Sequence, residues 1–160
     1  MKKTLVKILS IFLLLSAVQI TIIPFLSVDL ISPNLLVIFV TFYSLQLKKS
    51  HALWLGFAAG LIFDLISGGI TGVTAFGLTL TAFITAENRH RFNPSEILSY
   101  KFIALVFVNA SVFALVTNFL NGFTVNILYA IFIYGLLSGV YTSLFAVPLL
   151  FLIPESKLYE

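Results

Sequence analysis

The chain has 160 residues, of which 60% are hydrophobic types, 17 are phenylalanine and only 9% are charged, and its mean hydropathy is +1.12. A soluble domain carries about 25% charged residues, so this composition excludes an ordinary water-soluble fold and makes lipid the bulk solvent. The nine Lys and Arg that give a net charge of +3 sit in short clusters, which argues against a nucleic-acid partner. The absence of cysteine removes disulfides, thiolate catalysis and thiolate metal sites.

Six apolar segments follow in order, at about 5–26, 33–47, 51–66, 70–86, 100–120 and 127–153, within a single integral membrane domain spanning 1–160. The expected fold is therefore all-α and polytopic, with about six transmembrane helices. Two middle segments are short for a core that needs roughly 17–25 residues, so they are expected to be tilted, broken or only partly spanning. The opening "MKKTLVK" begins like a signal peptide, but its apolar run to Leu26 is too long and has no small-x-small cleavage site, so it reads as a retained helix. Within it, Gln19 has no water to bond in hydrocarbon and should face a neighbouring helix, while Pro24 should bend or end the helix.

In "SPNLLVIFVTF" the second helix is expected to start with Ser32 as its cap and Pro33 in its first turn, and Asn34 pairs with backbone or the adjacent turn. In "GFAAGLIFD", Gly56, Gly60 and Asp64 recur every four residues and make a small-residue stripe ending in a carboxylate. The plain reading is close helix packing followed by an interfacial acid. The functional reading seats a neighbouring helix, of this chain or of a partner, with Asp64 hydrogen-bonded across the contact. An unpaired charge in lipid costs several kcal/mol, so Asp64 must lie near the interface, be protonated or have a partner. The following "SGGITG", with Gly68, Gly69 and Gly72, lacks the lysine and preceding strand of a phosphate loop and reads as a tight turn.

The connection "ENRHRFNPSEILSYK" carries Arg89, Arg91 and Lys101, which serve as topology anchors or as a docking point for anionic lipid or a cytoplasmic partner. Asn109, Ser111, Thr117 and Asn118 in the fifth segment read as interhelical hydrogen-bonding groups or as the wall of a polar cavity. The last segment repeats the stripe more weakly through Gly135, Gly139 and Ser143. His51 and His90 have no metal-ligand spacing, and no nucleophile, base or acid pair is clustered, so neither a cofactor nor a catalytic site is expected. With six crossings, every Lys and Arg falls on one side, which places both termini in the cytoplasm.

At "SPNLLVIFVTFYSLQ...HALWLGFAAGLIFDLISGGITGVTAF" the sequence resembles the MreD family of bacterial rod-shape-determining membrane proteins. The resemblance rests on Pro33, Asn34 and Leu35, then Gly56, Phe57, Gly60, Leu61 and Asp64, then Gly72 and Phe76, with Gln19 and Pro24 in the opening helix. It is clearest over 15–85. It implies a non-enzymatic scaffold in the bacterial cytoplasmic membrane that acts with MreC and helps couple MreB filaments to lateral peptidoglycan synthesis. The wider partners it implies are a SEDS glycosyltransferase and a class B penicillin-binding transpeptidase. It also implies a fold similar to the six-helix substrate-binding component of energy-coupling-factor transporters, which leaves a transport subunit as the alternative function.

Overall fold

The computed structural model describes residues 2–27, 31–92, 100–122 and 131–152, and these are helical apart from short connections. The helices are α1 (Lys2–Thr21), α2 (Ile23–Leu26), α3 (Leu35–Gln46), α4 (Lys49–Ser67), α5 (Val73–Asn88), a 3-10 turn (Arg89–Arg91), α6 (Tyr100–Leu120), a π-helical stretch (Ile131–Leu137) and α7 (Ser138–Leu152). Among the described residues, three stretches are long and apolar enough to cross a membrane: Lys49–Ser67, Tyr100–Leu120 and Ile131–Pro148.

The expected first segment, 5–26, is divided. The chain turns at Ile22, and Pro24 lies in the first turn of α2, where its missing N–H costs nothing. The described part of the expected last segment begins with a π-helical stretch, wound more loosely than a regular α-helix, and its portion 127–130 lies outside the described residues.

Helix α3 occupies the centre, packing against α1, α4, α5, α6 and α7. Leu36, Val37, Ile38, Phe39, Val40, Thr41, Ser44 and Leu45 are all buried, so nearly the whole circumference of this helix is covered. That explains why its sequence is apolar all round and shows no stripe. Phe12, Phe39, Leu78 and Phe113 pack together on one side of it. Phe102, Val106 and Ala146 join Ile38 and Leu45 on the other.

The closest pairing is α4 against α5, and small residues permit it. The buried face of α4 consists of Ala52, Gly56, Ala59, Gly60 and Asp64. A Cβ built on Gly60 would collide with the Ala75 Cα, and one on Gly56 would lie 2.6 Å from the Leu78 carbonyl oxygen. Both obstacles are backbone, which cannot swing aside. Large side chains of α4 point outward instead: Trp54, Phe57, Leu65 and Ile66 are exposed. Small residues inward and bulky ones outward is the pattern expected where helices associate by close contact and their outer faces meet lipid.

A second glycine contact joins α6 and α7, where a Cβ on Gly139 would meet the Ser111 hydroxyl and the Phe107 carbonyl. The stripe read in the last segment is thus also occupied by a helix of the same chain.

Gly60→Ala is expected to cost about 1–3 kcal/mol through overpacking against α5, read as an earlier thermal unfolding of the purified protein in detergent. Gly69→Ala, which would meet only the Ser67 hydroxyl at 3.7 Å, should leave unfolding nearly unchanged.

Candidate functional site

Helix α3 is 12 residues long, which amounts to about 18 Å against a hydrocarbon core of about 30 Å. A helix of that length, laid across a bilayer, leaves one end short of water. The C-terminal end adjoins Lys48 and Lys49, cations that favour water, which leaves the N-terminal end as the one whose amides need acceptors from the bundle. The first amides of a helix have no intrahelical acceptor, and hydrocarbon offers none either.

Three side chains supply the acceptors. The Asn34 backbone N–H donates to the Thr142 hydroxyl of α7 at 3.1 Å. The Leu35 N–H donates to Gln19 Oε1 of α1 at 2.8 Å. The Leu36 and Val37 N–H groups both donate to Asn34 Oδ1, at 3.0 and 3.2 Å. Gln19 completes its own bonding by donating from Nε2 to the Pro33 carbonyl at 3.1 Å. Its amide thus pairs with the chain entering α3 as a second backbone strand would.

This arrangement corrects the expected start of the helix. Asn34, not Ser32, is the capping residue, and Pro33 precedes the cap instead of sitting in the first turn. Pro33 is fully buried, and its role is to present a carbonyl to Gln19. Ser32 lines a small polar cavity of about 100 Å³ beside the cap, together with Asn34, Asn118, Tyr134 and Ser138.

Asp64 performs the same service for α5. It is 2% exposed, and its carboxylate accepts from the Gly72 N–H at 2.8 Å and from the Thr74 and Ala75 N–H groups at 3.3 Å. The remaining early amide, that of Val73, donates to the Ile70 carbonyl at 3.2 Å. No ion pair to Asp64 occurs among the described residues. The acid is held instead by oriented N–H groups and the positive end of the α5 dipole.

The connection works because of its glycines. Gly68 ends α4 at φ +69° and Gly72 caps α5 at φ +102°, both in the left-handed region that side chains disfavour. Gly69 adopts no such angle.

A third polar tie lies deeper. Asn109 of α6 is fully buried and donates from Nδ2 to Thr41 of α3 at 3.0 Å and to Thr85 of α5 at 2.8 Å. Its carbonyl oxygen has no hydrogen-bond partner among the described residues. Ser111, Thr117 and Asn118, also expected to bond between helices, instead donate to carbonyls of their own helix at Phe107, Phe113 and Ala114. Residues three or four positions back are simply nearer than the neighbouring helix.

At the opposite end of α5, Lys49 and Glu87 form an exposed ion pair at 2.7 Å. The hydrogen bond from Lys49, and then its charge, hold the Glu87 carboxyl below its usual range. Arg89 donates to the Leu47 carbonyl at 2.7 Å. Arg91 has no hydrogen bond or ion pair among the described residues, and Lys101 sits in the first turn of α6. The three cations therefore do not form one cluster with one task. His90 contacts the Glu87 carbonyl, and no group of metal-ligating side chains occurs among the described residues.

The site residues thus divide into helix-end clasps and packing contacts. None of these groups brings a nucleophile, a base and an acid together. Sequence reasoning located Gln19, Asn34 and Asp64 as polar groups needing partners. It missed Thr142, which reads as an ordinary threonine in an apolar run, and no sequence signal links it to a residue 108 positions away.

Asp64→Asn is expected to destabilise the protein by about 1–3 kcal/mol, because an amide offers fewer acceptor sites and turns N–H groups toward N–H groups. Faster hydrogen exchange at residues 72–75 in the detergent-solubilised variant would report it. At a pH high enough to ionise the introduced acid, Gln19→Glu should be nearly as harmful as Gln19→Leu in thermal unfolding, since a carboxylate, unlike the protonated acid, cannot donate to the Pro33 carbonyl. A Gln19→Glu protein as stable as the parent would show that this donor is dispensable.

The chain matches the family model described as rod shape-determining protein MreD over residues 1–155. No curated protein and no solved structure matches it, so the expected similarity to the substrate-binding component of energy-coupling-factor transporters has no support. The match covers nearly the whole chain, and with three helices apolar enough to cross a membrane this protein belongs to the MreD family of rod shape-determining membrane proteins.

Proposed function

We propose that the protein is a non-enzymatic scaffold of the cell-elongation machinery, associating with MreC and helping couple MreB to lateral peptidoglycan synthesis. The family match across 1–155 is the observation that carries this reading. Within the wider complex, a SEDS glycosyltransferase and a class B penicillin-binding transpeptidase are the enzymes it would serve. The polar groups support a structural role, because Gln19, Asn34, Asp64 and Asn109 are bonded within the chain and not arranged around a reactive centre.

The setting is the bacterial cytoplasmic membrane, crossed about six times with both termini inside. The supporting pattern is the position of the cations. The Lys49–Glu87 pair and the Arg89–Leu47 bond bring the connections near 48 and 89 to the same end of the bundle, as that topology requires. The turn at 68–72 closes the other end of the α4–α5 pair.

The packing also constrains where MreC can bind. Gly56 and Gly60 are covered by α5 and cannot seat a partner helix. A partner must use surfaces that the bundle leaves open, among them the face of α4 bearing Trp54 and Phe57.

Depletion of the protein is expected to convert rods to rounded cells, and the tagged full-length chain should capture MreC from solubilised membranes. Rods that elongate normally, together with no MreC in the captured fraction, would overturn the scaffold reading. Gly60→Ala should lower MreC capture only in proportion to its lower abundance. A full-abundance variant that loses capture would return the glycine stripe to the partner interface.

A further inference from the structure

A groove of about 540 Å³ runs between the end of α5 and the beginning of α6. Ile84, Ala104, Leu105 and Val108 give it an apolar lining, and Arg91 and Lys101 line it as well. The two kinds of residue lie at different depths. Along α6, Val108 is seven positions beyond Lys101, or about 10 Å further into the bundle. Along the other wall, Ile84 precedes Arg91 by the same number of positions, so the cations lie together at the helix ends and the apolar track leads away from them.

The groove opens outward, since Ala104 and Val108 are both exposed. Glu87, near the end of α5, is taken up by Lys49. Arg89 is spent on the Leu47 carbonyl and contributes nothing here. Arg91, by contrast, has no hydrogen bond or ion pair among the described residues. Glu96, in the same connection, lies outside the described residues.

We propose that this groove binds one anionic phospholipid, with the headgroup phosphate between Arg91 and Lys101 and an acyl chain along Ile84, Ala104 and Val108. Arginine and lysine supply the charge-assisted donors that a phosphate oxygen takes. A basic pocket between helices at the membrane surface is the arrangement that retains such headgroups. The apolar track favours a lipid over a soluble anion, which would leave that surface uncovered. A pocket of this volume lies within the range of sites that hold small molecules. The inference requires membrane embedding and no role in cell elongation.

The test uses the full-length protein in detergent, titrated with phosphatidylglycerol or phosphatidylcholine and read by native mass spectrometry. Phosphatidylglycerol should give a single retained adduct favoured at least about tenfold, as two cations near a surface supply. The double variant Arg91→Gln/Lys101→Gln should abolish that preference. Ala104→Trp, which fills the groove from an exposed position, should weaken the adduct with both charges intact. Equal retention of the two lipids, or an unchanged preference in the double variant, would overturn the proposal. Displacement by glycerol phosphate at the same concentration would overturn the acyl component and leave a free-anion site. Should the variants not fold, a photoactivatable phosphatidylglycerol on the parent protein decides the matter: labelling of α5 and α6 supports the site, and labelling confined to other helices refutes it.

Discussion

The structure depends on a helix that is too short for its solvent. A 12-residue α3 is too short to reach water at both ends of a bilayer, and a bilayer interior gives its first amides no substitute. The fold answers with side chains from three helices, Gln19, Asn34 and Thr142, that take every early N–H of α3. Once that end is satisfied, α3 can sit at the centre with nearly its whole circumference covered. The other helices then arrange themselves around it.

The same physics recurs at α5, with a charged group in place of neutral ones. A buried carboxylate is expensive alone, yet Asp64 accepts from three backbone amides and faces the positive end of a helix. Its position depends on Gly56 and Gly60, which allow α4 and α5 to approach closely, and on Gly68 and Gly72, which let the chain reverse between them. The glycines and the acid in that stretch are parts of one device: close approach along the helices, then a reversal, then a cap. A polar group that looks reactive in the sequence is consumed in holding the backbone.

Much of this was legible in the sequence, for identifiable reasons. Composition and the clustered cations pointed to a helical membrane protein. Four-residue spacing of Gly56, Gly60 and Asp64 defined a contact face, and the cost of burying an unpaired acid required a partner for Asp64. What the sequence left open was the partner's identity, because small-residue stripes look alike whether they meet the next helix or another protein. The cap of α3 was misplaced by two residues since Ser32 and Asn34 are both competent caps, and only the path of the chain past Gln19 selects between them. Thr142 carried no signal at all, because its role arises from a contact between chain segments far apart.

That distant contact bears on how the protein is made. A chain inserted from its N-terminus delivers α1 and α3 early, so Gln19 can meet the backbone at 33–35 soon after both have entered the bilayer. Thr142 belongs to α7, 108 positions beyond Asn34, and arrives correspondingly later. Until then the amide of Asn34 has no partner from the chain itself. The start of α3 is therefore completed only when α7 arrives, and a nascent chain still lacking α7 carries an unsatisfied amide in an apolar setting, the mark of an unfinished bundle.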